Sequence, residues 1–254
     1  MRLAVVGKGG AGKSVISGTL ARVLARRGHR VLALDSDPLP GLSFSLGADV
    51  PVEPPLNAAV ERGEDRRWRF VKGVGAVRAV QRFATDAPDG VKLLQIGKTT
   101  PDGMAPVMAS HQAFYLTIHR LEHAAAFSDW VILGDLPAGP RQTAFNWAPY
   151  AKQFVLVVEP TWQSMLTARR IMRIASKARD DVQYALVVNK STGPEDAERV
   201  GAFLQLPVTQ AVPVDEGVRS AELLGVALLD HAPQSPVVAA VERLAESLER
   251  SSID

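Results

Sequence analysis

Near the start of the chain, Gly7-Lys8-Gly9-Gly10-Ala11-Gly12-Lys13-Ser14 gathers glycines, two lysines and a hydroxyl into one short stretch. The spacing fits G-x-x-x-x-G-K-[ST], and the chemistry it suits is phosphate binding. Glycines let backbone N–H groups turn inward and approach an anion closely. A helix starting here adds the positive end of its dipole. Lys13 is expected to reach the β- and γ-phosphates, and the Ser14 hydroxyl to ligate Mg²⁺. Gly9, Gly10, Ala11, Gly12 and Val15 complete the expected cradle. Lys8 is the unusual member, a second cation in a loop that Lys13 already supplies with charge.

Seven further residues could serve the same ligand. Asp35 and Asp37 follow an apolar run, where an aspartate can orient or deprotonate a water attacking a γ-phosphate. An Asx-type turn before Pro38 fits these residues too. Asp135 ends another apolar run, the expected place for a ligand of the Mg²⁺ shell; with Ser14 and Asp37 it makes the candidate metal set. Gly139, four residues on, offers a backbone N–H to the γ-phosphate, or simply turns the chain with Pro137. Asn189-Lys190-Ser191-Thr192 lacks the carboxylate that an Asn-Lys-x-Asp motif gives to guanine. The Asn189 amide, donor and acceptor at once, suits adenine, which favours ATP over GTP. Pro213 and Asp215 either line a base pocket or start a helix.

These residues need a scaffold, and the apolar runs supply one. Leu3–Val6, 30–34, 91–96, 130–133, 154–158 and 184–188 read as buried strands, with a last short strand before Pro213. Helical spacing follows the glycine loop through Ile16, Leu20, Val23 and Leu24. It recurs over 108–126, 161–178 and 236–249, while 39–90 reads as irregular and 97–107 as loop. Strands alternating with helices predict an α/β fold, a mostly parallel sheet covered on both faces, with the P-loop NTPase arrangement. Ligands bind such sheets at the carboxyl ends of the strands, where every motif above lies. The whole chain, 1–254, reads as one domain.

Composition sets limits. With 46% apolar and 22% charged residues, the 254-residue chain is an ordinary globular sequence long enough for a sizeable core. Cysteine is absent, which excludes disulfides, thiolate metal sites and iron–sulfur ligation. No transmembrane helix is expected, and a strand starting at Leu3 leaves no room for a signal peptide, so a cytoplasmic location is expected. His119 and His123 are four apart, a spacing that can bind zinc, but surface or core roles suit them better. Basic residues outnumber acids between Arg62 and Arg82, and Arg169, Arg170, Arg173, Lys177 and Arg179 share a predicted helix. Such stretches are solvated surface, or else face a partner protein or DNA. The last helix reads as packed, with Val237, Val241, Leu244 and Leu248 on one face.

Taken together, the Lys8-containing loop, Asp35-x-Asp37, Asp135-x-x-x-Gly139, Asn189-Lys190 and Pro213-x-Asp215 resemble the deviant Walker A ATPases, the group of MinD, ParA and the nitrogenase iron protein. Val157-Val158-Glu159-Pro160 leading to Ser164-x-x-Thr167-Ala168, and Val187-Val188-Asn189-Lys190, are most similar to its CooC-like branch. In that branch cysteines follow the stretch beginning at Ile96; here the place reads Gly103-Met104-Ala105-Pro106. The resemblance implies a Mg²⁺-dependent ATPase that forms a homodimer around ATP. It implies that Lys8 crosses to the other subunit's nucleotide and that Asp37 activates water, with Lys8, Lys13 and Asp37 as the catalytic set. A partner protein is implied, served by a metallocentre-assembly or redox-enzyme accessory factor. Two other readings stand beside it: a ParA- or MinD-like positioning ATPase that binds DNA or a partner, and a regulatory nucleotide-binding module with negligible turnover.

Overall fold

Alternation along the apolar runs decides the layers. Successive side chains of a strand point to opposite faces of its sheet. Leu3 and Val5 therefore enter one core with Ile16, Leu20, Leu24, Val241, Leu244 and Leu248. Ala4 and Val6 enter a second core with Phe114, Ile118, Met165 and Ile171. The computed structural model describes residues 1–37, 41–51, 54–98, 104–140, 146–178 and 182–252, and only the backbone of Met104. Pro38, Gly103 and Arg179, used in the sequence reading, lie outside them.

The strands are β1 (Arg2–Gly7), β2 (Val31–Asp35), β3 (Val60–Arg62), β4 (Trp68–Phe70), β5 (Thr85–Asp86), β6 (Lys92–Gln95), β7 (Val131–Asp135), β8 (Gln153–Val158), β9 (Gln183–Ser191) and β10 (Val208–Pro213). Eight of them form one sheet in the order β10-β9-β8-β1-β7-β2-β6-β5. All neighbouring pairs are parallel except β5–β6. The main helices are α1 (Lys13–Arg26), α2 (Gly41–Leu46), α3 (Ala76–Phe83), α4 (Met104–Leu121), α5 (Trp162–Ala178), α6 (Pro194–Leu204), α7 (Glu216–Leu224), α8 (Leu228–His231) and α9 (Pro236–Ser251). Helices α1 and α9 cover one face, and α4 and α5 the other. The mostly parallel, doubly covered sheet is the α/β arrangement expected.

This order places the site. After β1 the chain runs outward to β2 and on to the edge strand β5, steps back as β6, returns as β7 between β1 and β2, then continues on the other side as β8, β9 and β10. Connections leave β1 and β8 toward opposite sides, which opens a crevice at their carboxyl ends.

Some boundaries differ from the sequence reading. Residues 39–90, read as irregular, hold α2, the β3–β4 hairpin, α3 and β5. These elements are too short to show a period; the hairpin turns where Gly63 N donates to Arg67 O and Arg66 adopts a φ of 61°. Helix α4 starts at Met104 and ends at Leu121, where 108–126 was expected. Pro106 sits in its first turn, where a missing N–H costs no intrahelical bond.

Candidate functional site

Loop 8–12 leaves β1 and turns into α1 at Gly12, whose φ of 88° and ψ of 19° are left-handed. Glycine adopts this conformation without strain. A Cβ at Gly12 would also lie 2.2 Å from Asn189 Nδ2. That nitrogen donates to Ala11 O at 2.7 Å, so the end of β9 clamps the loop from beside it. Within the loop, Ala11 N donates to Lys8 O at 3.2 Å.

The loop's side chains meet the acidic ends of β2 and β7. Ser14 Oγ donates to Asp135 Oδ2 at 2.6 Å, and Ser17 Oγ to Asp135 Oδ1 at 3.2 Å. Lys13 is buried and its Nζ lies 3.4 Å from Lys8 O. Burial lowers the Lys13 pKa, with Asp135 and Asp37 acting against that. Burial pushes the Asp135 carboxyl up to about 6, with the Ser14 hydroxyl and Lys13 opposing it. Asp35 lies opposite Asp135 in the β2–β7 register. Burial, reinforced by the Asp135 charge, raises the Asp35 carboxyl well above the usual range. Asp35 Oδ1 accepts from Asp37 N at 3.1 Å, while its buried Oδ2 has no partner. Asp37 itself is half-buried beside this cluster.

Hard oxygen donors suit Mg²⁺, which keeps several waters and relies on few protein ligands. The Ser14 hydroxyl, the Asp135 carboxylate and the nearby Asp37 fit that ion, and the unpartnered Asp35 oxygen adds acceptor capacity behind them. Among the described residues no three His, Cys, Asp or Glu side chains converge to hold a metal alone. His119 packs against Tyr115 with the rings tilted by 43° and their centroids 4.2 Å apart, whereas His123 is exposed beyond the end of α4.

The remaining predicted residues lie around the same crevice. A cleft of about 710 Å³ runs from Gly10, Lys13 and Val15 past Asn189 to Pro213 and Asp215. Gly9 sits against Ala138, on the β7 side of the loop. Gly139 N donates to Gly7 O at 3.0 Å, so a phosphate contact from that N–H requires giving this bond up. Asp215 caps α7 by accepting from Gly217 N at 3.1 Å, and its other oxygen accepts from Ser235 Oγ. Thr192 N and Oγ1 both donate to Asp196 Oδ2, at 2.8 and 2.9 Å, so that carboxylate is already engaged.

Three contributors were given no role by the sequence reading, although Glu159 and Lys190 stand within motifs it quoted. Glu159 follows β8, and its Oε1 lies 2.7 Å from Lys190 Nζ and its Oε2 3.9 Å from Lys8 Nζ. Lys190 also donates to Gly10 O at 2.8 Å, from a backbone φ of 58°. Gln95, opposite Asp35 on β6, is buried, accepts from Ser43 Oγ at 3.1 Å and leaves Nε2 unpartnered. The position of Glu159, an acid directly after an apolar strand, was the available signal; Gln95 offered none.

A model described as the CobQ/CobB/MinD/ParA nucleotide binding domain matches residues 3–229. The carbon monoxide dehydrogenase accessory protein CooC of Rhodospirillum rubrum is 30% identical over 247 residues, spanning 92% of this chain and 91% of that protein. A ParA family ATPase from Chlorobium tepidum superposes with a TM-score of 0.72 at 18% identity, over 97% of this chain and 98% of the other. The septum site-determining protein MinD of Pyrococcus horikoshii, solved with Mg-ADP, gives a TM-score of 0.67 at 20% identity, over 98% and 96%. No helix among the described residues is long and apolar enough to cross a membrane.

Proposed function

Since the chain belongs to the CobQ/CobB/MinD/ParA nucleotide-binding family, we propose that it is a Mg²⁺-dependent ATPase that dimerises around ATP and acts on a partner protein. The observation that carries this reading is the Ser14–Asp135 contact at the mouth of the glycine loop, beside Asp37 and at one end of a nucleotide-sized cleft. Loop N–H groups and Lys13 bind the triphosphate, and Asn189, Pro213 and Asp215 border the base. The carboxylate of Asp196 is occupied by Thr192, which leaves no acid in the guanine-reading position and favours adenine. Ser14, Asp135 and Asp37 would hold Mg²⁺, which when bound would supply neutralisation of the triphosphate charge.

Asp37 orients the attacking water and accepts its proton as oxygen bonds to the γ-phosphorus. The bond from that phosphorus to the β,γ-bridging oxygen breaks, leaving ADP and phosphate. Lys8 acts on the nucleotide of the second subunit, which couples transition-state charge to dimerisation. CooC is named as an accessory protein of carbon monoxide dehydrogenase, and a comparable accessory role in metallocentre or redox-enzyme assembly is the reading adopted for this chain. The chain has no cysteine, so any such role proceeds without a thiolate metal site of its own. Lys8→Ala is expected to abolish ATP-dependent dimerisation in sedimentation velocity while fluorescent-nucleotide binding stays within about threefold, because the lysine serves the other subunit. A variant that still dimerises removes the trans-lysine argument.

A second reading, DNA binding, draws on α5, which carries Arg169, Arg170, Arg173 and Lys177 and no acidic residue. A salt-sensitive, ATP-dependent shift of duplex DNA supports it, and no shift at low salt removes it.

A further inference from the structure

The glycine loop is held from outside by Glu159 and Lys190, which the ATPase reading does not use, and the same acid reaches Lys8. Glu159, only 15% exposed at its side chain, touches two lysines with different duties. Its Oε1 takes the Lys190 ammonium at 2.7 Å, and Lys190 passes the contact on to Gly10 O at 2.8 Å. Its Oε2 lies 3.9 Å from Lys8, whose ammonium also donates to Gly9 O at 3.3 Å.

Each contact has a consequence. An ammonium on Gly10 O draws that carbonyl outward, and because the peptide unit is planar, the N–H of Ala11 is turned the opposite way. Lys190 thereby helps fix the loop's backbone, in which that N–H is held on Lys8 O at 3.2 Å, and Glu159 anchors Lys190. The Lys8 contact works differently. A lysine that must reach another subunit is here folded back onto an acid of its own chain, against its own loop. Glu159 is itself held, since its N–H donates to Ser164 Oγ at 3.0 Å in the first turn of α5. The two contacts are unequal in length, so the longer one to Lys8 is the one a nucleotide can break.

We propose that Glu159 is a positioning residue that anchors Lys190 on the loop and parks Lys8 in cis until ATP and a second copy of the chain draw it away. This rests on the dimeric ATPase reading above. It adds a competition: the acid and the other subunit's nucleotide contend for the same lysine.

Zero-length carbodiimide cross-linking read by peptide mass spectrometry tests the contacts directly on the full chain. Without nucleotide, Glu159–Lys190 and Glu159–Lys8 adducts are expected. With MgATP on the slow Asp37→Ala variant, the Glu159–Lys8 adduct should fall severalfold while Glu159–Lys190 persists. A Glu159–Lys8 adduct that never forms, or that ignores ATP, overturns the proposal. Glu159→Gln keeps an acceptor for Lys190 but removes the charge facing Lys8. It should lower the ATP concentration for half-maximal dimerisation about two- to fivefold, the weight of one part-exposed ion pair, with nucleotide KM nearly unchanged. Glu159→Leu removes both contacts and should raise KM as well. A Glu159→Gln protein that dimerises at the same or higher ATP overturns the parking role. If the unmodified chain stays monomeric in ATP, the dimer reading fails instead, and the cross-link response still judges the Glu159 contacts.

Discussion

Asp35 is the most unfavourably placed acid of the site. It is 1% exposed, faces Asp135 across the β2–β7 register, and leaves Oδ2 unpartnered opposite a Gln95 whose Nε2 is unpartnered too. Two buried polar orphans on adjacent strands are uncommon, and such groups tend to persist where function requires them. Removing the charge should relieve the fold. Asp35→Asn keeps a carbonyl oxygen for Asp37 N, ends the repulsion with Asp135 and places a donor beside that carboxylate. Its melting temperature is expected to rise by about 3–6 °C, from about 1–2 kcal/mol of relief, while phosphate release slows severalfold. Scanning calorimetry and a steady-state phosphate assay measure the two effects; a variant that melts earlier would sink the argument that Asp35 strains the fold. None of this strain was legible beforehand. Asp35 could be read as a strand-end acid, but Gln95 ends an apolar run without any motif, and only strand pairing makes them neighbours.

Helix α1 illustrates how an element that starts at the site is secured at its far end. Arg22, 2% exposed, donates to Asp89 Oδ2 at 2.6 Å, to Asp230 at 2.7 and 2.8 Å, and faces Leu46 O at 3.4 Å. One guanidinium thus ties α1 to α2, to the turn before β6 and to α8. Replacing it by an apolar chain leaves two carboxylates near a buried space. Arg22→Met is expected to cost about 2–4 kcal/mol in urea denaturation, less than for a fully buried pair because Asp230 is half-exposed. Arg22→Lys should recover less than half, since lysine lacks the fork that serves both acids. The apolar runs that became β1, β2, β6, β7, β8 and β9 were readable because buried parallel strands need continuous hydrophobic residues. Arg22 was not, since its partners stand 67 and 208 residues away. Short length hid α2, the β3–β4 hairpin and α3: these segments acquire order from packing against α1 and α4, and sequence period reports only longer elements.

The cleft joins parts of the molecule that are remote in the chain. Its walls come from residues 10–19 and 41–45 on one side and 189–190 and 213–237 on the other. A nucleotide filling it therefore links the start of α1 to β9, β10 and α7 in a single contact set, and stabilises the fold only to the extent that it binds the folded state. At about one hundred times its Kd, a ligand adds about 2.7 kcal/mol, and for a chain of this size that corresponds to a rise of about 5–11 °C in melting temperature. MgATP is expected to give such a rise. A chelator should remove most of it, because Ser14 and Asp135 then face the phosphates without the ion that their oxygens suit. MgGTP should give less than half, since Thr192 stands where a guanine-reading acid is needed and the nearby Asp196 already accepts from it twice. Asn189→Ala should lower the MgATP shift even with the loop otherwise intact, because the Nδ2 contact to Ala11 O disappears with it. Differential scanning fluorimetry across the three nucleotide conditions decides the matter. Equal shifts for ATP and GTP would refute the adenine preference, and no shift for either would refute the cleft as the nucleotide site.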